Sequence, residues 1–285
     1  MTAEMTAAMR AEMSARYLEI AGTRSFVLEE GAGTPVLCLH TAGQNGVQWR
    51  DTHPALAALG YRVVVPDLPG HGRSEPAPGG PVRDLADYAA WCEDLIDVLG
   101  LERPFVVGCS IGGAIALHLA VRRGAQLSGV VAMAAYGGSD EPRPSVRGLE
   151  RELIDAAAPS RSDRTYLGTL AVVGDRVPAA RAELIARMHR REDPEISTSD
   201  LIGWATHDVR DGLPSIACPV RLVVGRDDLW VEPADVRATA EAIPEARLTV
   251  LEGIGHYPME EMEGFAGELH RWLGELGDRT PRRVA

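Results

Sequence analysis

Along the chain, short runs rich in β-branched residues alternate with longer stretches in which apolar side chains return every three or four positions. "FVLEE", "PVLCLH", "RVVVPD", "FVVGCS", "GVVAMAA", "VRLVVG" and "RLTVLE" each predict a strand. Several of these runs are almost continuously apolar, which is the signature of strands covered on both faces. Between them, Leu85, Tyr88, Cys92, Leu95 and Leu99 form one helical stripe, and Met262, Phe265, Leu269 and Leu276 form another. The alternation predicts an α/β fold with a mainly parallel central sheet flanked by helices.

The alternation breaks once. Residues 137–217 contain no convincing strand but four amphipathic segments, near 146–157, 163–173, 178–190 and 198–209. The stretch begins with "GGSDEPRPS" and ends with "DGLPSIACP", both rich in turn formers, so it reads as an inserted helical cap. The expected organisation is a core of 17–136 and 218–276, a cap of 137–217, an N-terminal extension of 1–16 and a solvated tail of 277–285. The extension is expected to be an exposed helix or a frayed end. Removal of the cap is expected to leave a foldable sheet with an open site, with substrate selectivity lost before the triad geometry.

Composition narrows the partners. Forty-one acidic against 29 basic residues give a formal charge of −12, which opposes the phosphate neutralisation that nucleic acid or an anionic membrane demands. The apolar uncharged run 105–121 is shorter than the ~20 apolar residues of a spanning helix and contains three glycines. A signal peptide is not expected either, because Glu4, Arg10 and Glu12 interrupt the N-terminal segment. Four scattered cysteines suit reduced thiols in a cytoplasm better than a disulfide framework or a zinc site. No His-x-x-x-His or paired-carboxylate pattern suggests a metal. The expected partner is a small molecule, and the sequence sets no oligomeric state.

One stretch concentrates the chemistry. In "VVGCSIGGAIALH" an apolar strand runs into an apolar helix with almost no loop between them, so the turn is sharp. Side chains two positions either side of the apex would collide there unless they are small. Centred on Ser110, those positions are Gly108 and Gly112; centred on Cys109, they are Val107 and Ile111. The spacing selects Ser110 as nucleophile and leaves Cys109 as a packed thiol. A serine hydroxyl needs a base, the base needs an orienting acid, and the carbonyl under attack needs donors for its oxyanion. "GIGHYPMEE" offers His256, "VVGRDDLWVEP" offers Asp227 and Asp228, and the segment after "GVVAMAA" offers Asp140 as a rival acid. "LCLHTAGQ" offers backbone amides that would join the amide of Ile111, the residue after the nucleophile.

Through "LHTAG", "PDLPGHGRS", "GCSIGG", "GRDDLWVEP" and "GIGHYPMEE", in the order Ser, Asp, His, the chain resembles the α/β-hydrolase superfamily from about residue 36 to 276. The resemblance implies the α/β-hydrolase fold, with Ser110 as nucleophile, His256 as general base and Asp228 as its orienter. It also implies an oxyanion hole from the amides of Ala42 and Ile111. Where the family commonly has His-Gly, this chain has His40-Thr41, so the amide that points into the site is left open among Thr41, Ala42 and Gly43. The resemblance gives His40 and His71 the role of holding loops together. Thr41, Trp49, Tyr136, Trp204 and Trp230 are candidates for the substrate pocket, with hinge or core packing as the alternative for the four aromatic residues.

The chemistry implied is hydrolysis of a carboxylic ester, lactone or amide through an acyl-enzyme, with no cofactor required. A second expectation is carbon–carbon hydrolysis of ring-fission products, which "GRDD" and the cap favour. Cys109 and Tyr257, standing where such enzymes usually carry asparagine and tryptophan, count against it. A third is a ligand-binding member with little turnover.

Overall fold

The computed structural model describes residues 13–140 and 161–277. The expected cap helix near 146–157 and nearly all of the tail therefore lie outside the described residues, as do residues 1–12 of the extension. Eight strands form one sheet: β1 (Met13–Ile20), β2 (Thr23–Glu30), β3 (Thr34–Leu39), β4 (Tyr61–Pro66), β5 (Phe105–Cys109), β6 (Gly129–Met133), β7 (Val220–Gly225) and β8 (Arg247–Leu251). Their spatial order is β1-β2-β4-β3-β5-β6-β7-β8. The β3 to β8 strands run parallel, whereas β1 and β2 are antiparallel to their neighbours.

All seven expected strands form. The eighth, β1, corrects the expectation for the N-terminus, because residues 13–16 pair in register with Leu28 to Glu30 and Val27 rather than forming a helix or a frayed end. β1 escapes a hydrophobic reading because it is an edge strand with mostly exposed side chains. The hydrogen-bonding capacity of the β2 backbone holds it in place instead.

Helices α1 (His53–Ala58), α2 (Leu85–Val98), α3 (Ile111–Arg123), α7 (Pro233–Ala242), α8 (Pro258–Glu261) and α9 (Phe265–Gly277) flank the sheet. Alternation along each strand divides the core between its two faces. On β3, Leu37 and Leu39 pack with α2 and α3 residues such as Leu95 and Ile115. Val36 and Cys38 pack on the opposite side with Leu56, Phe265 and Trp272. Asp84 caps α2 by accepting the Ala86 amide at 2.9 Å, which sets the start of the helix at Leu85.

Between β6 and β7 the chain forms α4 (Arg161–Val172), α5 (Ala179–His189) and α6 (Pro194–Thr206). The α6 helix begins four residues before the expected Thr198, because Asp193 caps it through the amides of Glu195 and Ile196. His207 follows α6 and is buried against His118 of α3, Tyr136 and Trp204, at ring separations of 5.9, 5.7 and 5.4 Å.

The β5 strand passes into α3 through Ser110 alone, at φ +56° and ψ −123°. A side chain rarely adopts this conformation, which costs about 1–3 kcal/mol and persists only where its surroundings enforce it. Here they do. A methyl group on Gly108 would lie 2.1 Å from the carbonyl oxygen of Gly112, and one on Gly112 would lie 2.6 Å from those of Leu39 and His40. Both glycines are required by backbone that has no room to retreat.

Gly112→Ala should therefore cost on the order of 3 kcal/mol of stability or prevent folding. Gly267→Ala, on the exposed side of α9 with open space at its Cβ position, should be neutral or stabilising by up to about 1 kcal/mol. Thermal unfolding of both variants checks the contrast; similar effects at the two sites would contradict it.

Burial foremost, with the nearby His118 charge, lowers the pKa of His207 to about 4. The unfolded chain takes up this proton near the ordinary histidine pKa, so the neutral ring's contribution is complete above about pH 6.5 and is lost as the pH falls towards 4. His207→Phe should flatten the decline of Tm between pH 6.5 and 4.5. An unchanged decline would show that this ring does not govern it.

Candidate active site

The carboxyl ends of β3, β5, β7 and β8 carry the loops with the candidate residues, an arrangement dictated by parallel strands with helical returns. Ser110 sits at the apex between β5 and α3 and is almost fully buried. Its amide donates to the Met133 carbonyl of β6 at 2.9 Å, and its carbonyl accepts the Ala114 amide at 2.9 Å. The Ile111 amide is at the first turn of α3, where helical geometry supplies no carbonyl partner.

Cys109 is turned away from this chemistry. Its Sγ donates to the His256 carbonyl at 3.2 Å, and it lies in the core on the α1 and α9 side. Burial, and then the charges of Asp228, Glu261 and Glu260, push its pKa well above the ordinary thiol value. A nucleophilic cysteine needs the opposite shift.

His256 and Asp228 meet. The imidazole Nδ1 is 2.8 Å from Asp228 Oδ2, and both side chains are buried. The other carboxylate oxygen accepts the amides of Trp230 at 2.9 Å and Val231 at 3.1 Å, so the acid is fixed before it orients the ring. Asp227 points elsewhere and accepts the Asp175 amide at 2.9 Å. Asp140 is exposed and paired with Arg210 at 2.6 Å. The structure thus separates three acids that composition leaves equivalent.

The loop bearing His256 is held from the inserted helices and from α8. The His256 amide donates to the Val172 carbonyl at the end of α4 at 3.0 Å. Glu261 accepts the amides of Gly174, Gly255 and Tyr257 at 3.0, 2.6 and 2.8 Å. Glu261 lies within "GIGHYPMEE", yet nothing in the string marks it as the residue that shapes the loop.

On the other side, the chain turns after β3 through Thr41, Ala42 and Gly43. The Thr41 amide donates to Gln48 Oε1 at 2.9 Å, and the Gly43 amide donates to Asp200 Oδ2 at 2.8 Å. Among the three amides left open by the sequence, these two are engaged by side chains, which favours Ala42. The Thr41 carbonyl accepts both the Gln44 amide at 3.1 Å and His40 Nδ1 at 2.9 Å. His40 Nε2 in turn accepts the Leu68 amide at 3.0 Å, so the neutral ring links two loops. Burial first, and then His71, lower its pKa to about 4, consistent with that role.

The pocket candidates divide. Trp49 is fully buried, with its ring 6.4 Å from Phe265 in the core beside α9. Tyr136 and Trp204 pack edge to face at 5.0 Å and are buried. Trp230 is 54% exposed, and its ring packs in a T-shaped arrangement with that of His256 at 4.8 Å. Thr41 is buried, and its hydroxyl donates to Gln48 at 3.2 Å. Among the described residues, no group of three or more His, Cys, Asp or Glu side chains is placed to hold a metal. No described helix is long and apolar enough to cross a membrane.

Comparison with known proteins agrees with this architecture. The chain is 33% identical over 254 residues to the magnesium-chelatase 30 kDa subunit of Rhodobacter capsulatus, covering 85% of this chain and 87% of that protein. It is 30% identical over 274 residues to the 2-hydroxymuconate semialdehyde hydrolase of a Pseudomonas species, covering 91% and 94%. A thermophilic esterase from Thermogutta terrifontis superposes with a TM-score of 0.81 at 25% identity, over 93% of this chain and 99% of that one. The α/β hydrolase family model matches residues 36–268. With the fold and this match together, the chain belongs to the α/β hydrolase family of enzymes.

Proposed function

We propose that this hydrolase cleaves a carboxylic ester, lactone or amide of a small to medium organic substrate through an acyl-enzyme on Ser110. The observation that carries the reading is the buried His256–Asp228 pair, whose histidine carbonyl accepts Cys109 Sγ next to a serine held at positive φ on a strand-to-helix apex. Asp228 accepts a hydrogen bond from Nδ1–H, which keeps the proton on Nδ1 and leaves Nε2 as the basic nitrogen of His256. That nitrogen takes the Ser110 proton as Oγ attacks the carbonyl carbon, and the amides of Ala42 and Ile111 receive the oxyanion. Collapse expels the leaving oxygen or nitrogen, which takes from His256 the proton that Ser110 gave up. Water, deprotonated by the same ring, then releases the acid and restores Ser110.

Likeness to an esterase structure supports ester chemistry. The relative named for hydrolysis of 2-hydroxymuconate semialdehyde supports a second reading, carbon–carbon cleavage of a vinylogous diketone at the same site. In both readings the inserted helices act as a cap over the substrate, and Trp230 forms part of the pocket rim.

Turnover on a panel of esters, lactones, amides and vinylogous diketones separates the readings. The first predicts ester or lactone hydrolysis that is abolished in Ser110→Ala. Activity confined to the diketones would favour the second, and ligand binding with no turnover on the panel would contradict both.

The acids give a sharper test. Loss of the orienting aspartate from a serine protease triad costs about 10⁴-fold in turnover, and Asp228→Asn should lose a comparable factor while remaining folded. Asp227→Asn should stay within about ten-fold of wild type, because its carboxylate serves the Asp175 amide rather than the imidazole. Steady-state kinetics with thermal unfolding of both variants checks the assignment; a crippled Asp227→Asn beside a nearly normal Asp228→Asn would reverse it.

A further inference from the structure

Asp200 lies on α6, one of the inserted helices, and its side chain is completely buried. Isolated, such a carboxylate would be expensive. Three donors converge on it: the Gly43 amide and His71 Nε2 reach Oδ2, each at 2.8 Å, and the Tyr88 hydroxyl reaches Oδ1 at 2.8 Å. The other ring nitrogen of His71 faces the Pro69 carbonyl at 3.1 Å. Both His71 nitrogens therefore meet acceptors, an environment that suits the imidazolium. Burial acts to lower the His71 pKa, but the charge and hydrogen bond of Asp200 outweigh it and raise the value.

The Gly43 bond has a particular place in the backbone. A peptide group is rigid, and its C=O and N–H point in opposite directions. The Thr41 carbonyl is held by His40 Nδ1 and the Gln44 amide, which directs the Ala42 amide the other way. The preceding peptide group is fixed through the Thr41 amide on Gln48, and the following one through the Gly43 amide on Asp200. Gly43 has φ +66°, and a side chain there would meet Ser197 of α6 at 2.8 Å. Glycine rotates most freely about its backbone bonds, so the peptide group between Ala42 and Gly43 depends most on an external partner. That partner comes from 157 residues further along the chain.

We propose that Asp200 is a positioning residue for the oxyanion hole: by fixing the peptide group between Ala42 and Gly43, it keeps in place the Ala42 amide, directed by the contacts of the Thr41 carbonyl, on which acyl transfer relies. The claim rests on the reading of Ser110 as an acyl-transferring nucleophile. It also changes the expectation for cap removal. Deleting 137–217 removes Asp200 and the Val172 carbonyl that binds the His256 amide, so catalytic geometry is lost together with selectivity.

Asp200→Asn and Tyr88→Phe separate positioning from simple docking of α6. Tyr88→Phe removes a hydrogen bond from the same carboxylate but leaves the Gly43 bond, so it should lower Tm with kcat within about two-fold of wild type. Asp200→Asn should lower kcat on an ester substrate by about 10–100-fold with KM within about three-fold, because a misplaced oxyanion donor harms the transition state more than substrate binding. Hydrogen exchange of residues 40–45 should accelerate in Asp200→Asn and not in Tyr88→Phe.

A raised KM with unchanged kcat in Asp200→Asn, or equal kcat losses in the two variants, would overturn the proposal. If Asp200→Asn does not fold, Asp200→Ser, which shortens the side chain away from the Gly43 amide, replaces it; loss of kcat at unchanged KM supports the proposal and unchanged kcat overturns it. A wild type inactive on every ester, lactone and amide of the panel would refute the acyl-transfer reading separately. The exchange measurement then decides the positioning claim, which falls if residues 40–45 exchange equally fast in wild type and Asp200→Asn.

Discussion

The positive φ of Ser110 is the constraint on which the site depends. A strand that turned gradually into α3 would bury the serine hydroxyl in the first turn, whereas the sharp apex sets it above the sheet. The turn closes because Gly108 and Gly112 let β5, α3 and the end of β3 approach to backbone contact. That same approach brings the Leu39 and His40 carbonyls against Gly112 at the start of α3, and the loop with Ala42 continues directly from His40. One steric condition therefore fixes Ser110 and the neighbouring backbone from which the proposed oxyanion donors would come.

The cost of holding this arrangement is spread through buried polar contacts. His40 joins the loop after β3 to Leu68, Glu261 collects three amides around the His256 loop, and Asp200 joins Gly43, His71 and Tyr88. A further buried carboxylate, Glu260, accepts Gln48 at 3.0 Å, His189 at 2.7 Å and Arg50 at 2.8 Å. Burial alone would raise the Glu260 pKa, but the charges and hydrogen bonds of His189 and Arg50 hold it below the usual carboxylate value. Gln48 carries this network to the Thr41 amide. Buried ion pairs are weak sources of stability, but a carboxylate with several donors fixes direction well. That property suits loops whose amides must point one way.

Much of this was legible from local sequence. Apolar runs located the central strands, and the glycine spacing distinguished Ser110 from Cys109 because the clash at an elbow is local. The acid was less accessible. Asp227 and Asp228 are chemically alike, and only resemblance to the family favoured the residue that the structure places against His256. Residues that were not legible act across long separations. Asp200 is one of 41 acidic residues, and α6 buries Ser197, Thr198 and Ser199 beside it, so hydrophobic periodicity assigns no inward role to that polar face. Trp49 shows the converse limit: an aromatic residue near a site loop can belong wholly to the core.

The central claim is that Ser110 Oγ, and not the neighbouring thiol, carries the acyl group during turnover. Rapid mixing with an activated ester, acid quenching and peptide mass spectrometry measure this directly. The account predicts one acyl group on Ser110, in a peptide that also contains an unmodified Cys109, and no adduct in Ser110→Ala. An adduct on Cys109, or undiminished ester turnover by Ser110→Ala, would contradict it.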